Sequence, residues 1–577
     1  MSNNTVRKNY TRWLNCPLLS TEERTELLSI RDNASEVESR FSSFLSFGTA
    51  GLRGIMKVGM NAMNIYTVAY ATQAIAILIN DCGRADDGVA IAYDSRNNSE
   101  LFAKECACVL AANGIKSYIF NGVRPTPELS FALRHLGCVA GINITASHNP
   151  KEYNGYKAYW EDGAQLPPEH AQTVTDTLAT IDIFDDVKRV PFEDGVACGL
   201  IEMIGADIDE AYVKCVLAEA VNPSAIPYVA DDLRIVFTPL HGAGYKLVPE
   251  VLRRSGVKHL FIVPEQATPC GDFPTVSKPN PEFPEVFKLG IEIAEREKSD
   301  LIIACDPDAD RVGVMARKAD GTFTTISGNQ MGALLLDYII TAYKKTGTMP
   351  EEPYAVKSIV STVLASKICQ THGVEMFNVL TGFKFIGEVI KNHEAGGRGS
   401  FIFGFEESYG YLKGTYARDK DAVVATMLIT EMTAYYRTLG LTIYEALERL
   451  WERYGFYYEQ TVQEEIKGID APMKMAALMA AFRSDFPLVF GGQAVKVIGD
   501  YLEGTFTDVA TGEKTPTGLP ASDVLYYVLE NGDTVVVRPS GTEPKVKFYF
   551  LVSGSGVEQA QNQINKYREQ IASIAVL

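Results

Sequence analysis

The sequence contains no apolar run that approaches the ~18 residues needed to cross a bilayer. Its first residues, MSNNTVRKNYTRWL, lack the apolar centre of a secretory signal. The ten cysteines form no CxxC pair and show no metal-ligand spacing, and the closest two are Cys106 and Cys108. These absences predict a cytoplasmic protein whose thiols are reduced and buried.

Positive charge is also scarce, because 54 Lys and Arg residues stand against 72 Asp and Glu residues, for a net charge of -18. Such a balance argues against general nucleic-acid binding, which needs a basic surface. An acidic chain that binds anionic substrates must instead gather its Lys and Arg side chains in a local cleft. The length of 577 residues predicts three to five domains, and the hydrophobic fraction of 46% is that of an ordinary globular protein.

The chain begins with a predicted helical region over residues 1–45, where Ser20 and Glu23 have the spacing of a capping box. A unit of apolar strand, amphipathic helix, glycine and second strand then occurs three times. The copies run from VAIAY to SYIF, from RIVFT to HLFIV and, more weakly, from AVKSIV to MFNVL, with Gly114, Gly256 and Gly373 at the helix ends. Three βαβ units in series predict three related α/β domains.

The last 120 or so residues follow a different pattern. The segments VLYYVL and TVVV flank Asn531-Gly532, a hairpin signal, and KVKFYFLV precedes a predicted terminal helix. This pattern predicts a fourth, smaller domain of α+β type.

An acidic motif follows the apolar run LIIAC and consists of Asp306, Asp308 and Asp310. The run is typical of a buried parallel strand, so the carboxylates should emerge at its carboxyl end, where open α/β sheets bind ligands. Three adjacent carboxylates repel one another without a cation, and they suit Mg²⁺. A calcium EF-hand would need Gly and Glu where Arg311 and Arg317 stand, and a haloacid-dehalogenase-type phosphatase would need Thr or Val instead of the third aspartate.

A candidate phosphate-carrying serine, Ser147, lies in the segment TASHNP. Alone, this segment is also typical of a turn that ends at Asn149-Pro150. It lacks the GxSxG elbow of serine hydrolases, and the adjacent His148 is expected to be poorly placed as a base. Together with the acidic motif, the serine predicts phosphoryl transfer, because a hydroxyl can carry the group and a hard cation can offset its charge.

Four further loops supply cations or hydroxyl groups. Arg53 stands in the Gly-rich segment FGTAGLRG, and Lys157 follows Asn154-Gly155. The segment EESYG contains Glu406 and Ser408, which suit sugar hydroxyls, and RPSGTEPK at residues 538–545 combines the groups that cradle a dianionic phosphate. Ordinary turns and hairpin loops remain the alternative interpretation of each loop taken alone.

These segments, in this order, resemble the α-D-phosphohexomutase superfamily over nearly the whole chain from about residue 45. The resemblance implies an α/β fold with three related domains that contain mixed sheets and a C-terminal α+β domain around a central cleft. The expected domains are residues 1–205 with the serine loop, 206–322 with the metal loop, 323–446 with the sugar loop and 447–577 with the phosphate loop.

The same resemblance implies a role for each matching residue. Ser147 would be the phosphoserine and a contact of the Mg²⁺ ion that Asp306, Asp308 and Asp310 bind. Glu406 and Ser408 would contact sugar hydroxyls. The phosphate that is not transferred would bind to Arg538, Ser540, Gly541 and Thr542. Cations near the transferred phosphoryl group would be Arg53, Lys157 and Arg311, while Lys420 matches a lysine of the glucose-handling branch; Lys157 or Lys420 would be the general base.

The wording EESYG is similar to the glucose branch, so the resemblance implies interconversion of glucose 1-phosphate and glucose 6-phosphate, with glucose 1,6-bisphosphate as intermediate and activator. The FGTAGLRG segment and Phe405, where many relatives have Gly, leave mannose and pentose phosphates open. A Mg-dependent phosphatase with Asp306 as nucleophile and a non-catalytic phosphosugar sensor are the other classes. We expect small phosphosugar substrates, no nucleic-acid or membrane partner, and a monomer or weak dimer.

Overall fold

The structure is a computed structural model that describes residues 3–48, 51–466, 471–484, 488–540 and 545–575. The chain forms two compact units. The first contains residues 1–316 and 412–435, and the second contains residues 317–411 and 436–577. Because the first unit takes up a segment from far along the chain, it is not one continuous stretch of sequence.

The first unit begins with the predicted helical region, which forms α1 (Asn3–Leu14), α2 (Thr21–Ser29) and α3 (Ala34–Phe41). Ser20 and Glu23 form the predicted capping box at the start of α2. The side chain of Trp13 is 2% exposed and meets the rings of Phe41 and Tyr66 edge-on. The helices therefore share a core with the domain that follows them.

A mixed six-stranded sheet comes next, in the strand order β1-β5-β4-β2-β3-β6. Its elements are β1 (Gly51–Ile55), α4 (Ile65–Asp81), β2 (Val89–Tyr93), α5 (Ser99–Ala112), β3 (Ser117–Phe120), α6 (Thr126–Leu136), β4 (Ala140–Ile144), β5 (Tyr153–Trp160), α7 (Pro168–Leu178), α8 (Phe192–Ala197) and β6 (Ile201–Ile204). Strands β4, β2, β3 and β6 are parallel, whereas β1 and β5 run antiparallel to their neighbours. The carboxyl ends of β2 and β4 therefore lie side by side.

The second sheet of this unit has β7 and β9 at its centre. Its elements are α9 (Ala206–Ala218), α10 (Ala225–Val229), β7 (Arg234–Thr238), α11 (Gly244–Arg254), β8 (His259–Ile262), α12 (Lys288–Glu297), β9 (Leu301–Cys305) and β10 (Val312–Arg317). Strand β7 pairs in parallel with both β8 and β9, and β10 pairs with β9 antiparallel. All five residues of β9 are buried, as the LIIAC run predicts.

The following segment forms the third sheet, β13-β12-β14-β15. The elements of this segment, in chain order, are β11 (Phe323–Ile326), which is not a strand of this sheet, α13 (Gly328–Thr346), β12 (Pro353–Ser358), α14 (Val363–His372), β13 (Glu375–Val379), α15 (Phe383–Gly396), β14 (Ser400–Glu406), β15 (Gly410–Leu412), α16 (Ala422–Thr438) and α17 (Ile443–Tyr454). Strand β12 is parallel to both of its neighbours. This sheet contains the third predicted βαβ copy.

The C-terminal region is rich in antiparallel strands. Its elements are β16 (Phe456–Glu465), α18 (Ala471–Ser484), β17 (Val489–Phe490), β18 (Gln493–Asp500), β19 (Thr505–Asp508), β20 (Lys514–Pro516), β21 (Leu525–Leu529), β22 (Thr534–Pro539), β23 (Lys545–Gly554) and α19 (Val557–Ala575). Strands β21 and β22 form the hairpin that Asn531-Gly532 predicts. The α+β prediction for this region is confirmed.

All three βαβ predictions are also confirmed. In each copy the two strands are parallel, and the glycine after the helix has a positive φ: 75° at Gly114, 104° at Gly256 and 70° at Gly373. Glycine adopts this conformation without the steric cost that a Cβ atom imposes. The exact boundaries of the four expected domains stay a prediction.

The cysteine prediction is only partly right. All ten cysteines are free thiols, but Cys82 and Cys198 are exposed. Each follows the last residue of a helix, α4 or α8, so its position at a helix end leaves it in contact with solvent. Within the described residues, no helix combines the length and apolar character needed for a membrane span.

Candidate active site

The serine loop begins where β4 ends, at the carboxyl edge of the first sheet. Ser147 has a φ of 50°, a left-handed conformation that is unfavourable for a residue with a side chain. Its backbone N–H donates to Thr145 Oγ1 at 2.8 Å, and the residue is only 3% exposed. The segment TASHNP thus forms a turn, and this turn holds the candidate phosphate-carrying serine in a strained geometry.

The acidic motif is a tight turn between β9 and β10. Asp306 Oδ1 accepts hydrogen bonds from the backbone N–H groups of Asp310 at 3.1 Å and Arg311 at 3.0 Å, which closes the turn. The three aspartates are 0 to 2% exposed, and one carboxylate oxygen from each lies within 4.8 Å of the others. The turn thus brings the carboxylates of three aspartates, which stand at every second position of the motif, close together.

The donor set fits a divalent cation. Asp308 Oδ1 and Asp310 Oδ1 are buried oxygens without a hydrogen-bond partner, a costly state for carboxylates unless a positive ion meets them. Burial, together with the charges of Asp308 and Asp310, raises the pKa of Asp306 well above its usual value. A hard cation with oxygen ligands would relieve both the repulsion and the missing bonds.

The serine and the acidic turn lie in direct contact. Ser147 Oγ donates to Asp306 Oδ2 at 2.6 Å across 159 residues of sequence. His148 Nδ1 lies 3.2 Å from Ser147 Oγ, so the expectation that this histidine is poorly placed is wrong. The positive φ of Ser147 turns its side chain toward its neighbour. Burial, with Arg311 and Arg53 nearby, lowers the pKa of His148 well below its usual value, so its ring is neutral.

Two lysines contact the same acids. Lys157 Nζ, from β5, lies 2.7 Å from Asp308 Oδ2 and 3.2 Å from Asp310 Oδ2. Lys420 Nζ lies 3.1 Å from Asp310 Oδ2. Burial lowers the pKa of Lys157, but the charges of Asp308 and Asp310 outweigh that effect and raise it. Both lysines are therefore placed to balance the buried negative charge.

Two arginines lie close to this group. Arg311 pairs with Glu282 at 2.8 Å and has its Nε 3.8 Å from Asp310. Arg53 is exposed on β1 and donates to Asn149 Oδ1, in the serine loop, at 3.3 Å. The local positive charge expected of an acidic chain is thus present: two lysines and Arg311 lie at the aspartates, and Arg53 contacts the serine loop.

The segment that carries Lys420 is fixed on both sides. Asp419 accepts from the Tyr159 hydroxyl at 2.8 Å and from Lys420 Nζ at 3.1 Å. Asp421 caps α16 through the N–H groups of residues 423 and 424 and accepts the hydroxyls of Tyr212 and Tyr416. These carboxylates explain how a loop far along the chain keeps its lysine at Asp310.

Sequence reasoning missed two residues that support the serine loop, Asp94 and Arg96. Both follow β2, whose carboxyl end lies beside that of β4, and they form a buried ion pair with a 3.2 Å Nε–Oδ2 distance. The signal in the sequence is a charged pair directly after the buried strand VAIAY. The rule that places ligands at the carboxyl ends of parallel strands could have identified them.

In the second unit, the predicted sugar loop connects β14 and β15. Glu406 ends β14 and is 9% exposed. The adjacent Glu407 accepts from Ser358 at 2.9 Å and from Ser408 at 3.1 Å. The side chain of Ser408 is therefore oriented by Glu407, a residue to which the sequence analysis assigned no role.

The predicted phosphate loop lies partly within the described residues. Arg538 is the last residue but one of β22, and its side chain donates to the Tyr549 hydroxyl at 3.4 Å. The Ser540 N–H donates to Lys545 O at 2.7 Å. Gly541 and Thr542 lie outside the described residues. Burial, and then the charges of Glu407 and Glu406, raise the pKa of Tyr549, the residue whose hydroxyl accepts from Arg538.

Comparison with known proteins gives matches along most of the chain. Three family models match: phosphoglucomutase/phosphomannomutase α/β/α domain I at residues 45–183, domain II at 210–321 and domain III at 327–454. A phosphoglucomutase of Staphylococcus saprophyticus is 36% identical over 531 residues, covering 92% of this chain and 94% of its own. A phosphoglucomutase of Staphylococcus aureus is 35% identical over 547 residues, with the same coverage.

Solved structures share the fold at lower identity. Parafusin, an exocytosis-sensitive phosphoprotein of Paramecium, gives a TM-score of 0.67 at 18% identity and covers 92% of this chain and 95% of its own. A phosphoglucomutase/phosphomannomutase family protein of Burkholderia thailandensis gives a TM-score of 0.64 at 17% identity, covering 92% and 97%. The fold similarity therefore extends beyond the three matched segments.

Proposed function

The chain belongs to the phosphoglucomutase/phosphomannomutase family of the α-D-phosphohexomutase superfamily, and we propose on that basis that it interconverts α-D-glucose 1-phosphate and glucose 6-phosphate. It is thus an intramolecular phosphotransferase of the isomerase class. The proposed reaction passes through a phosphorylated Ser147 and a glucose 1,6-bisphosphate intermediate, which also serves as activator.

One observation carries this proposal. Ser147 Oγ lies 2.6 Å from Asp306 Oδ2, inside a group of three buried carboxylates that lack sufficient partners of their own. A phosphoryl group on that oxygen would adjoin the carboxylates, and a bound cation together with the neighbouring lysines and arginines would offset the combined negative charge. A hydrolase that used Asp306 as nucleophile would have no need for a strained serine at this distance.

Asp306, Asp308 and Asp310 would hold the Mg²⁺ ion, with an oxygen on Ser147 as a further contact. When bound, such an ion would neutralise the charge that builds up on the phosphoryl oxygens during transfer. Lys157, Arg53 and Arg311 add positive charge around the same oxygen.

In the first half-reaction the P–O bond to Ser147 breaks, and a P–O bond forms to the free hydroxyl of the hexose monophosphate. The proton of that hydroxyl passes to Lys157 or Lys420. The carboxylate partners raise the pKa of Lys157, so this lysine acts as a base only after those ion pairs separate. The leaving Ser147 Oγ takes up a proton from Asp306 Oδ2 or His148 Nδ1, the same group that receives this proton back in the second half-reaction. The product of this step is the bisphosphate and an unphosphorylated serine.

In the second half-reaction the bisphosphate presents its other phosphate, and Ser147 Oγ attacks it. The serine proton leaves toward Asp306 Oδ2 or His148 Nδ1, the two acceptors that lie 2.6 Å and 3.2 Å from Oγ. The P–O bond to the sugar breaks, and its oxygen takes up the proton that the lysine stored. The enzyme is phosphorylated again, and the sugar now carries its single phosphate at the other position.

The sugar must bind in two orientations. We assign its hydroxyls to Glu406 and Ser408, and the phosphate that is not transferred to Arg538, Ser540, Gly541 and Thr542. Glucose is the proposed sugar because EESYG is similar to the glucose branch, and mannose and pentose phosphates are the alternatives. A cytoplasmic location and a monomeric or weakly dimeric state complete the proposal; the ten free thiols support the first.

The test is a mutase assay with Mg²⁺ and a trace of glucose 1,6-bisphosphate, with glucose, mannose, glucosamine and pentose phosphates compared side by side. We expect the highest kcat/KM for glucose phosphates. Steady release of inorganic phosphate without isomerisation would instead indicate a phosphatase. In that case Asp306→Asn would lose covalent phosphate labelling and Ser147→Ala would keep it, the reverse of our expectation.

A further inference from the structure

A single buried arginine collects the backbone carbonyls of the serine loop. Arg96 Nη2 donates to Ser147 O and Asn149 O at 2.5 Å each, and Nη1 donates to Pro150 O at 2.9 Å and Tyr153 O at 3.0 Å. Four carbonyls within seven residues thus point at one guanidinium group. A loop that turns its carbonyls inward in this way needs a positively charged group with several N–H donors at its centre.

The arginine itself is fixed from two sides. Its Nε lies 3.2 Å from Asp94 Oδ2, and both side chains are fully buried. The ring of Phe273 lies 5.1 Å from the guanidinium carbon, in the geometry of a cation–π contact. Gly271, two residues earlier, approaches so closely that a Cβ atom there would lie 2.3 Å from the backbone nitrogen of Asn97. The loop that carries Phe273 therefore packs directly against the backbone beside Arg96, and the ion pair and the ring hold the guanidinium group from two sides.

Asp94 also holds the other side of the serine. Its carboxylate accepts the Thr145 hydroxyl at 2.7 Å, and Thr145 Oγ1 in turn accepts the Ser147 N–H at 2.8 Å. The N–H and the C=O of Ser147 are thus both tied to the Asp94–Arg96 ion pair, one through Thr145 and one directly. These contacts offset the cost of the 50° φ value at this residue.

We propose that Arg96 is a positioning residue for phosphoryl transfer, which fixes the strained backbone of Ser147 so that Oγ stays at the acidic turn. This inference rests on the proposed function. Arg96 donates to the loop carbonyls and acts through Ser147. Its role is to keep Oγ in one place through both half-reactions, because a serine that relaxed to an ordinary backbone conformation would move its oxygen away from Asp306.

The test compares Arg96→Ala, Arg96→Lys and a matched control, Arg40→Ala. Arg40 is also a buried arginine that pairs with carboxylates, Glu26 and Glu36, and donates to a carbonyl, Val58 O, but it has no contact with the serine loop. For Arg96→Ala we expect kcat to fall about 100-fold, as for a displacement of about 1 Å at a reacting group. KM for the sugar phosphate should stay within about twofold.

Arg96→Lys should lose about tenfold in kcat, because an ammonium group keeps the charge opposite Asp94 but cannot meet four carbonyls in the planar pattern. Added guanidinium ion should raise kcat of Arg96→Ala at least about tenfold, which returns it to about a tenth of the wild-type value. The same ion should leave kcat of Arg40→Ala unchanged. Circular dichroism and the unfolding temperature monitor the fold of each variant.

Wild-type kcat in folded Arg96→Lys, or equal losses in Arg96→Ala and Arg40→Ala, would overturn the inference. So would an absence of rescue by guanidinium in a folded Arg96→Ala. If both Arg96 variants failed to fold, the residue would have a purely structural role, and the inference would be wrong. The wild-type protein is measured in the same assay, and only its own lack of mutase activity would count against the proposed function.

Discussion

Gly242 lies where the loop after β7 touches the acidic turn, and we predict that Gly242→Ala damages the site without any change in its chemical groups. The neighbouring Ala243 N–H donates to Pro307 O at 2.7 Å, which holds the two loops together. A Cβ atom on Gly242 would lie 2.4 Å from Pro307 Cα and 2.6 Å from Pro307 O. Both contacts are with backbone, which cannot rotate away.

The size of the effect follows from this geometry. Ordinary contacts to a Cβ atom begin at 3.4 Å, so the two loops must separate by about 1 Å. Pro307 stands between Asp306 and Asp308, and catalytic sites tolerate only about 0.5 Å of displacement of their functional groups. We expect a loss of about 1 to 3 kcal/mol in the free energy of unfolding and about 100-fold in kcat.

The assay is mutase turnover with saturating Mg²⁺, alongside the unfolding temperature by calorimetry. The matched control is Gly396→Ala at the end of α15, where nothing lies within 4 Å of the added methyl group. This variant should keep wild-type kcat and gain up to about 1 kcal/mol, because alanine favours helix. Wild-type kcat and an unchanged unfolding temperature in Gly242→Ala would refute the reasoning.

Three further predictions concern the serine, the cation and a buried lysine. Ser147→Ala should lower kcat at least about 10⁴-fold while keeping the fold, with a loss of about 1 to 3 kcal/mol from the missing bond to Asp306; residual activity near wild type would remove the nucleophile role. Removal of divalent ions with a chelator should abolish turnover and lower the unfolding temperature, and Mg²⁺ should restore both in wild type but not in Asp308→Asn; equal stabilisation of the two proteins would place the cation elsewhere. Burial lowers the pKa of Lys357 from 10.5 to about 8, so the unfolded chain binds more protons between these values and stability should rise by about 3 kcal/mol as pH increases through that window. Chemical denaturation of wild type and Lys357→Met across that range measures this slope, and an identical slope in both would contradict the assignment.

Local patterns predicted most of the fold. A parallel strand buried on both faces, such as Leu301–Cys305, gives a continuous apolar run, and a helix that ends in a left-handed residue needs a glycine such as Gly373. Both signals depend on neighbours in sequence. They identified the three βαβ copies and the C-terminal hairpin without knowledge of tertiary contacts.

The centre of the site was predictable for a related reason. Ser147 and the three aspartates follow strands whose carboxyl ends lie at ligand-binding edges, and their residue types suggest phosphoryl transfer. The contact at 2.6 Å confirms that the two loops meet. By contrast, the role of Glu407 at the sugar loop and that of Tyr549 near Arg538 depend on which distant segments pack together, and the sequence contains no local signal for them.

The position of Ser147 relative to His148 shows why a detail of the site was mispredicted. Adjacent side chains on an extended strand point to opposite faces, so an i, i+1 pair is expected to diverge. The left-handed φ of Ser147 breaks this alternation and brings the imidazole within 3.2 Å of Oγ. Backbone strain at a single residue therefore changed the local chemistry in a way that residue spacing cannot reveal.

The first unit includes residues 412–435, which follow a long excursion of the chain through the second unit. This segment brings Lys420 to Asp310, a contact 110 residues apart in sequence. On the ribosome, residues 1–316 emerge well before that lysine exists, so the nascent protein must wait through roughly a fifth of its synthesis before the acidic turn can acquire this counter-charge. A truncated protein that ended before residue 412 would thus contain the serine and the aspartates but would lack Lys420 beside them.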